Sequence, residues 1–179
     1  MGDLKIPLKE LNDWLKERGT SLELYVIGAF ALHLHGLISR YTMDVDTISL
    51  LDEEVLEKVR EIGLKYGLPS WLNNQARTVT LPEGLKLRAL SYHQFSHLNI
   101  KYAARGDLIK LKVAAFYYRK DEDPKDLDDL VALNPTFQEL EDGLQFLKIA
   151  HLPEVESFQK NFLVEVAELE EELKDVLRP

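Results

Sequence analysis

The hydrophobic pattern changes period several times along the chain, and each change marks an element. Leu8, Leu11 and Leu15 recur at helical spacing behind Pro7, a residue suited to a helix start, and Gly19 stops the run. "LELYVIG" (22–28) is short, apolar and partly β-branched, and predicts a buried strand. "AFALHLHG" predicts a short helix closed by Gly36. "TMDVDTIS" (42–49) alternates and predicts a second strand. "LDEEVLEKVREIGLKYG" is amphipathic, with Asp52 as N-cap and Val55, Leu56, Val59 and Ile62 as its apolar stripe. The turn residues "PEG" predict a hairpin of 76–81 with 85–91, and 98–104 predicts a further strand. Three helical segments follow: "GDLIKLKVAAFYYR", "DPKDLDDLVAL" and "NPTFQELEDGLQFLK". A last helix, 154–177, carries Val155, Phe158, Phe162, Val166, Leu169, Leu173 and Val176 at gaps of three and four, a narrow heptad-like seam.

Strands and helices thus mix in the first half, and helices dominate the second. This predicts an α+β fold, with a core over 1–105 and a helical C-terminal region over 106–179 packed on it. With 45% apolar residues among 179, the chain can bury a real core. No apolar run is long enough to span a bilayer, and the N-terminus is charged and amphipathic, unlike a signal peptide. There are no cysteines, which excludes disulfides and thiolate metal sites and fits a cytoplasmic protein. The net charge of −9 repels polyanions, so contact with nucleic acid requires a local basic patch or a bridging cation.

The chemistry concentrates in "YVIGAFALHLHGLISRYTMDVD" (25–46). Strand alternation turns Asp44 and Asp46 to one side, with Val45 turned to the core. Two like charges side by side disfavour each other unless a cation lies between them. A hard divalent ion such as Mg²⁺ takes oxygen ligands and is held by one or two carboxylates together with substrate phosphates. Gly28, between strand and helix, lets backbone approach a ligand closely, and the free N–H groups of the following helix suit an anion. A metal platform and an anion cradle on neighbouring strands make a site for a metal–triphosphate complex. Against this stands the plain reading: acids at strand ends and a glycine after a strand are ordinary punctuation, and only their conjunction carries the inference.

That conjunction resembles the polymerase-beta-like nucleotidyltransferase superfamily, whose signature is a strand, a glycine and a small residue, a helix, then a strand with D-x-D. Gly28-Ala29 and Asp44-Val45-Asp46 carry it here. The order Gly28, Ala31, Gly36, Arg40, Thr42, Asp44, Asp46 is similar to that of the minimal bacterial and archaeal branch related to abortive-infection (AbiEii-like) toxins. Lys112 on one helix, and Lys125, Asp126 and Asp129 on the next, look like that branch's second block. The resemblance covers roughly 22–134. It implies transfer of a nucleoside monophosphate from an NTP to an acceptor, which could be protein, RNA or a small molecule. It implies Asp44 and Asp46 as catalytic ligands of Mg²⁺ or Mn²⁺, and Gly28, Ala29, Arg40, Thr42 and Lys112 as nucleotide contacts.

Each supporting residue has a second reading. Arg40 steadies a phosphate or pairs with an acidic neighbour. Thr42 bonds a phosphate or begins the strand. Lys112 lies on an apolar stripe and either snorkels outward or reaches the cleft. Asp126 and Asp129 are read as partners of Lys112 or Arg119 that fix the helices. His33 and His35 are two apart, share no helix face and are read as packing residues. Many superfamily members carry a third carboxylate on a later strand, yet Leu85 to Arg105 contains no acid. Either two aspartates suffice, an acid comes from elsewhere, or the fold binds nucleotide without transferring it. In that last case the chain is a nucleotide sensor or half of a toxin–antitoxin pair, with 154–177 as the surface for a partner or a second copy; the plainer reading, preferred to free coiled-coil pairing because about three heptads is the minimum for it, is that this helix folds back on its own domain.

Overall fold

The computed structural model of the protein describes residues 4–74, 76, 79–120, 122 and 124–177. Among the described residues there are five strands and eight helices, an α+β fold with a helical C-terminal part. The chain divides into two compact units: Met1–Val79 with Gly84–Ala104, and Thr80–Glu83 with Arg105–Pro179.

The first unit is built on a mixed sheet. Its strands are β1 (Leu22–Ile27), β2 (Val45–Thr47), β3 (Leu72–Asn73), β4 (Leu90–Tyr92) and β5 (Leu98–Tyr102), in the spatial order β3-β2-β1-β5-β4. β1 pairs antiparallel with β2 and parallel with β5. Leu24, Val26, Val45, Thr47, Leu98 and Ile100 are buried on one face, while the partners along the other face include Glu23, Tyr25, Asp46, Asn99 and Lys101. This is the alternation expected of a sheet packed on one side only. Helices α1 (Lys5–Glu17) and α3 (Glu53–Tyr66) pack together, and α1 also meets β5. The Asp52 side chain caps α3 by accepting from the Val55 N–H at 2.8 Å. Asn12, buried on α1, points its amide oxygen at three successive backbone N–H groups, of Ser96, His97 and Leu98, at 3.1, 2.9 and 3.3 Å. Trp71 is fully buried, and its indole N–H donates to the Val59 carbonyl at 2.9 Å.

The strand expected over 42–49 is shorter, Val45–Thr47, and 42–44 belong to the preceding loop. The hairpin expected for 76–81 with 85–91 is corrected. Leu85–Arg88 is a one-turn helix, α4, entered through Gly84 at φ +70°; of 76–81, Arg77 and Thr78 lie outside the described residues. Leu85 is buried while Leu87 is 92% exposed, so the two leucines of the "LKL" alternation face opposite ways. The hairpin is instead β4 with β5, antiparallel.

The second unit holds α5 (Arg105–Arg119), α6 (Lys125–Leu133), α7 (Phe137–Ala150) and α8 (Glu156–Val176). Arg105 pairs with Glu139 and donates to the carbonyls of Leu133 and Asn134 at 2.7 and 2.9 Å, which fixes the α6–α7 turn. Thr136 and Glu139 form a capping box at the start of α7. Gly143 admits α5 closely, since a Cβ there would stand 3.0 Å from Val113. On α8, Phe162, Val166, Leu169 and Leu173 are buried within this unit, while Val155 and Phe158 before and at its start and Val176 at its end are exposed.

Candidate active site

The strand β1 ends at Ile27, and the chain turns at once into α2 (Gly28–Leu34). Gly28 has φ +69°, a conformation open to glycine and costly for other residues. Antiparallel pairing sets Asp46 of β2 opposite Ile27, the residue before that glycine. The two meet closely. A Cβ built on Gly28 would stand 2.6 Å from Asp46 Oδ2, well inside contact distance, so the carboxylate lies directly against the glycine backbone. Gly28 is thereby required twice, by its dihedral and by its neighbour.

Parallel pairing of β2 with β3 places Asn73 opposite Asp46, and the Asn73 amide donates to Asp46 Oδ1 at 2.9 Å. Asn73 is a residue the sequence pattern misses, because its strand has two residues and no periodicity to read. Asp44 sits just before β2 and is exposed; the Thr42 hydroxyl donates to its Oδ1 at 3.1 Å. Val45 between the two acids is fully buried, and Asp46 is half-buried. No side chain caps the N-terminus of α2, and Ala29, its second residue, is half-buried. Arg40 is half-buried in the loop between α2 and β2.

The same sheet face continues along β1 and β5. Tyr25 lies opposite Lys101, whose ammonium sits 2.7 Å from Glu23 and donates to the Tyr25 hydroxyl at 3.3 Å. Lys101 bonded to it holds the Glu23 carboxyl below its usual range. The β5 positions on this face, Asn99 and Lys101, are not acids, and no group of three metal-binding side chains occurs among the described residues.

Of the remaining candidates, Lys112 lies in the second unit. It is almost buried on α5, with Nζ 2.8 Å from Asp126 and 2.7 Å from Asp129, both buried on α6. Arg119 reaches the other oxygen of Asp126 at 2.7 Å. The two acids thus join α5 to α6. His35 donates from Nε2 to the Ala103 carbonyl at 2.9 Å and stands edge-on to Tyr102 at 4.9 Å, which ties the end of α2 to β5. Burial pushes the His33 imidazole below its ordinary value, so it stays neutral at physiological pH.

Residues 3–142 match the family described as "Nucleotidyltransferase of unknown function (DUF6036)". The chain belongs to this nucleotidyltransferase family. The match spans the glycine turn, the acidic pair and the Lys112 cluster, and stops within α7. No curated protein and no solved structure matched the chain.

Among the described residues no helix is long and apolar enough to cross a membrane.

Proposed function

We propose that the protein is a cytoplasmic nucleotidyltransferase that uses a divalent ion to move a nucleoside monophosphate from an NTP to an acceptor. The observation that carries this is the contact of Asp46 with the Gly28 turn: the acidic group and the backbone suited to phosphate are adjacent. The donor set fits a hard cation, because Asp44 and Asp46 offer carboxylate oxygens and neither histidine nor thiolate stands among them. These two residues would hold Mg²⁺ or Mn²⁺. Such an ion, when bound, offsets phosphate charge and favours the ionised acceptor hydroxyl.

The chain's own groups do the rest. Gly28 and Ala29, without bulk, admit the triphosphate to the backbone at the start of α2. Asn73 orients Asp46 and Thr42 orients Asp44, so both carboxylates are set before substrate arrives. Arg40 is proposed as the phosphate-binding side chain of the loop. In the reaction the acceptor oxygen bonds to the α-phosphorus and pyrophosphate leaves, which asks positioning and charge stabilisation of the protein rather than covalent chemistry. Lys112 holds α5 to α6 through its two acids; to touch nucleotide it would have to leave them.

Within the superfamily we place the chain nearest the AbiEii-like branch, on the order Gly28, Ala31, Gly36, Arg40, Thr42, Asp44, Asp46. The acceptor is a protein, an RNA end or a small molecule, and the net charge of −9 favours one that is not an extended polyanion. One observation favours a second reading, nucleotide binding without transfer: the β3 residue bonded to Asp46 is an amide and not a third acid. In that reading the chain is a sensor or a toxin–antitoxin partner.

Incubation with each labelled NTP, Mg²⁺ or Mn²⁺ and cell extract separates the two. Covalent label on an acceptor, lost in Asp44→Asn and Asp46→Asn, is the expected result. A rise in Tm with NTP and Mg²⁺ but no label marks the sensor. Label that persists in both variants removes the acidic pair from the mechanism.

A further inference from the structure

A pocket in the second unit has a chemistry unrelated to the acidic pair. Tyr117 and Tyr118 near the end of α5, Phe158 and Phe162 of α8, and His151 after α7 line it, with Glu165 of α8. Its volume is about 260 Å³. Pockets for drug-sized ligands run from roughly 300 Å³ upward, so this one suits a head group rather than a large molecule.

Its rings are fixed by one another. Tyr117 stands edge-on to Tyr118 at 5.0 Å and to Phe162 at 5.4 Å. The Tyr117 hydroxyl donates to Glu165 at 2.5 Å, which fixes that carboxylate at the pocket. Tyr118 and Phe158 nevertheless keep 57% and 59% of their surface exposed. The walls therefore combine aromatic rings, whose π-systems carry negative charge density on their faces, with one carboxylate; Tyr118 is also tilted against His151 at 5.4 Å. No lysine or arginine lines it among the described residues. Burial holds the His151 imidazole below its ordinary value, so it adds no charge at neutral pH. Rings plus an acid without a counter-cation match an organic cation: cation–π attraction accounts for the rings and Coulomb attraction for Glu165.

We propose that this pocket binds a small organic ammonium head group, of the trimethylammonium class, between the aromatic side chains of α5 and α8 and Glu165. The inference stands apart from the nucleotidyltransferase reading, since it uses no residue of that site. The head group could belong to a free metabolite or to a methylated lysine, and the two sources share one chemistry.

Calorimetric titration of the full chain tests it, with sodium chloride at equal ionic strength as the blank. The probes are choline, its neutral isostere 3,3-dimethyl-1-butanol, and a short peptide carrying trimethyllysine. Saturable one-to-one binding is expected for choline or the peptide, at least about tenfold tighter than for the neutral isostere. Preference for the peptide assigns a protein-borne source, and preference for choline a free one. Glu165→Gln and Tyr118→Ala should each weaken binding by about three- to thirtyfold. Tyr118 is largely exposed, so its variant is expected to fold, and an unchanged Tm verifies that. Equal binding of choline and the isostere, or no saturable heat with choline and peptide alike, overturns the proposal.

Discussion

At the scale of single residues, Gly28 is the position on which the candidate site turns. An alanine there meets two penalties at once. Its φ of +69° lies in the left-handed region, and its Cβ would press on Asp46 Oδ2 at 2.6 Å. The left-handed backbone alone costs a non-glycine residue about 1–2 kcal/mol. Asp46, bonded to Asn73 through its other oxygen, would have to shift to relieve the clash. Gly28→Ala should therefore lower stability by about 1–3 kcal/mol and abolish labelling. By contrast Gly19→Ala, at a similar φ but with nothing within 4 Å, should cost only the backbone term and keep activity. Thermal melts and labelling of both variants check the pair; equal loss of activity in both would show that the contact with Asp46 is immaterial. Asn12 makes a different residue-scale case. Its one oxygen serves three N–H groups at the β4–β5 turn, so Asn12→Ala takes the acceptor from the buried Leu98 N–H and from those of Ser96 and His97, and should cost about 1–3 kcal/mol, read from urea unfolding.

At the scale of elements, the join between α5 and α6 rests on a cation among carboxylates. Lys112 is nearly buried between Asp126 and Asp129, and Arg119 completes the charge balance from the exposed side. Removing Lys112 takes the cation from between two buried acids and leaves Asp126 with Arg119, whereas removing Arg119 leaves Lys112 in place between them. Lys112→Met should cost about 3–5 kcal/mol, and Arg119→Met markedly less. Urea unfolding of the two variants measures the difference; similar losses would mean that burial of the pair does not set its worth. From sequence, Lys112 or Arg119 are the expected partners of Asp126 and Asp129; offsets of seven and three put each pair on one face of its own helix, and only the packing of α5 on α6 brings the two faces together. Asp52 as the cap of α3 and the inward turn of Val45 between the two acids were legible too. The one-turn helix at Leu85–Arg88 was not legible. "LKLRAL" alternates like a strand, but Gly84 in the left-handed region starts a turn that buries Leu85 and exposes Leu87. Nor was β3, whose two residues give no period, and with it Asn73, whose place beside Asp46 arises from pairing between distant segments.

At the scale of the whole molecule, the family match and the folded units end at different places. The match stops at residue 142, within α7, while the second unit continues through α8. On α8, Phe162, Val166, Leu169 and Leu173 are 0–5% exposed, so the seam is covered inside the chain's own unit, as the fold-back reading of its sequence expects. Burying four such side chains contributes about 6–12 kcal/mol at roughly 1.5–3 kcal/mol each. That is comparable with the whole stability of a domain, about 5–15 kcal/mol. A chain ended after Leu152 should therefore lose the fold of its second unit, although it retains every residue of the family match. Hydrogen exchange checks this unit by unit. Amides of α5 and α7 are expected to lose protection, while those of β1 and β5, whose core of Leu24, Val26, Leu98 and Ile100 is formed within the first unit, should keep theirs. Protection of α5 and α7 unchanged by the truncation would mean that α8 rests on a unit already complete without it. The extension beyond residue 142 would then be free for a partner, and the exposed Val155, Phe158 and Val176 would be where to look.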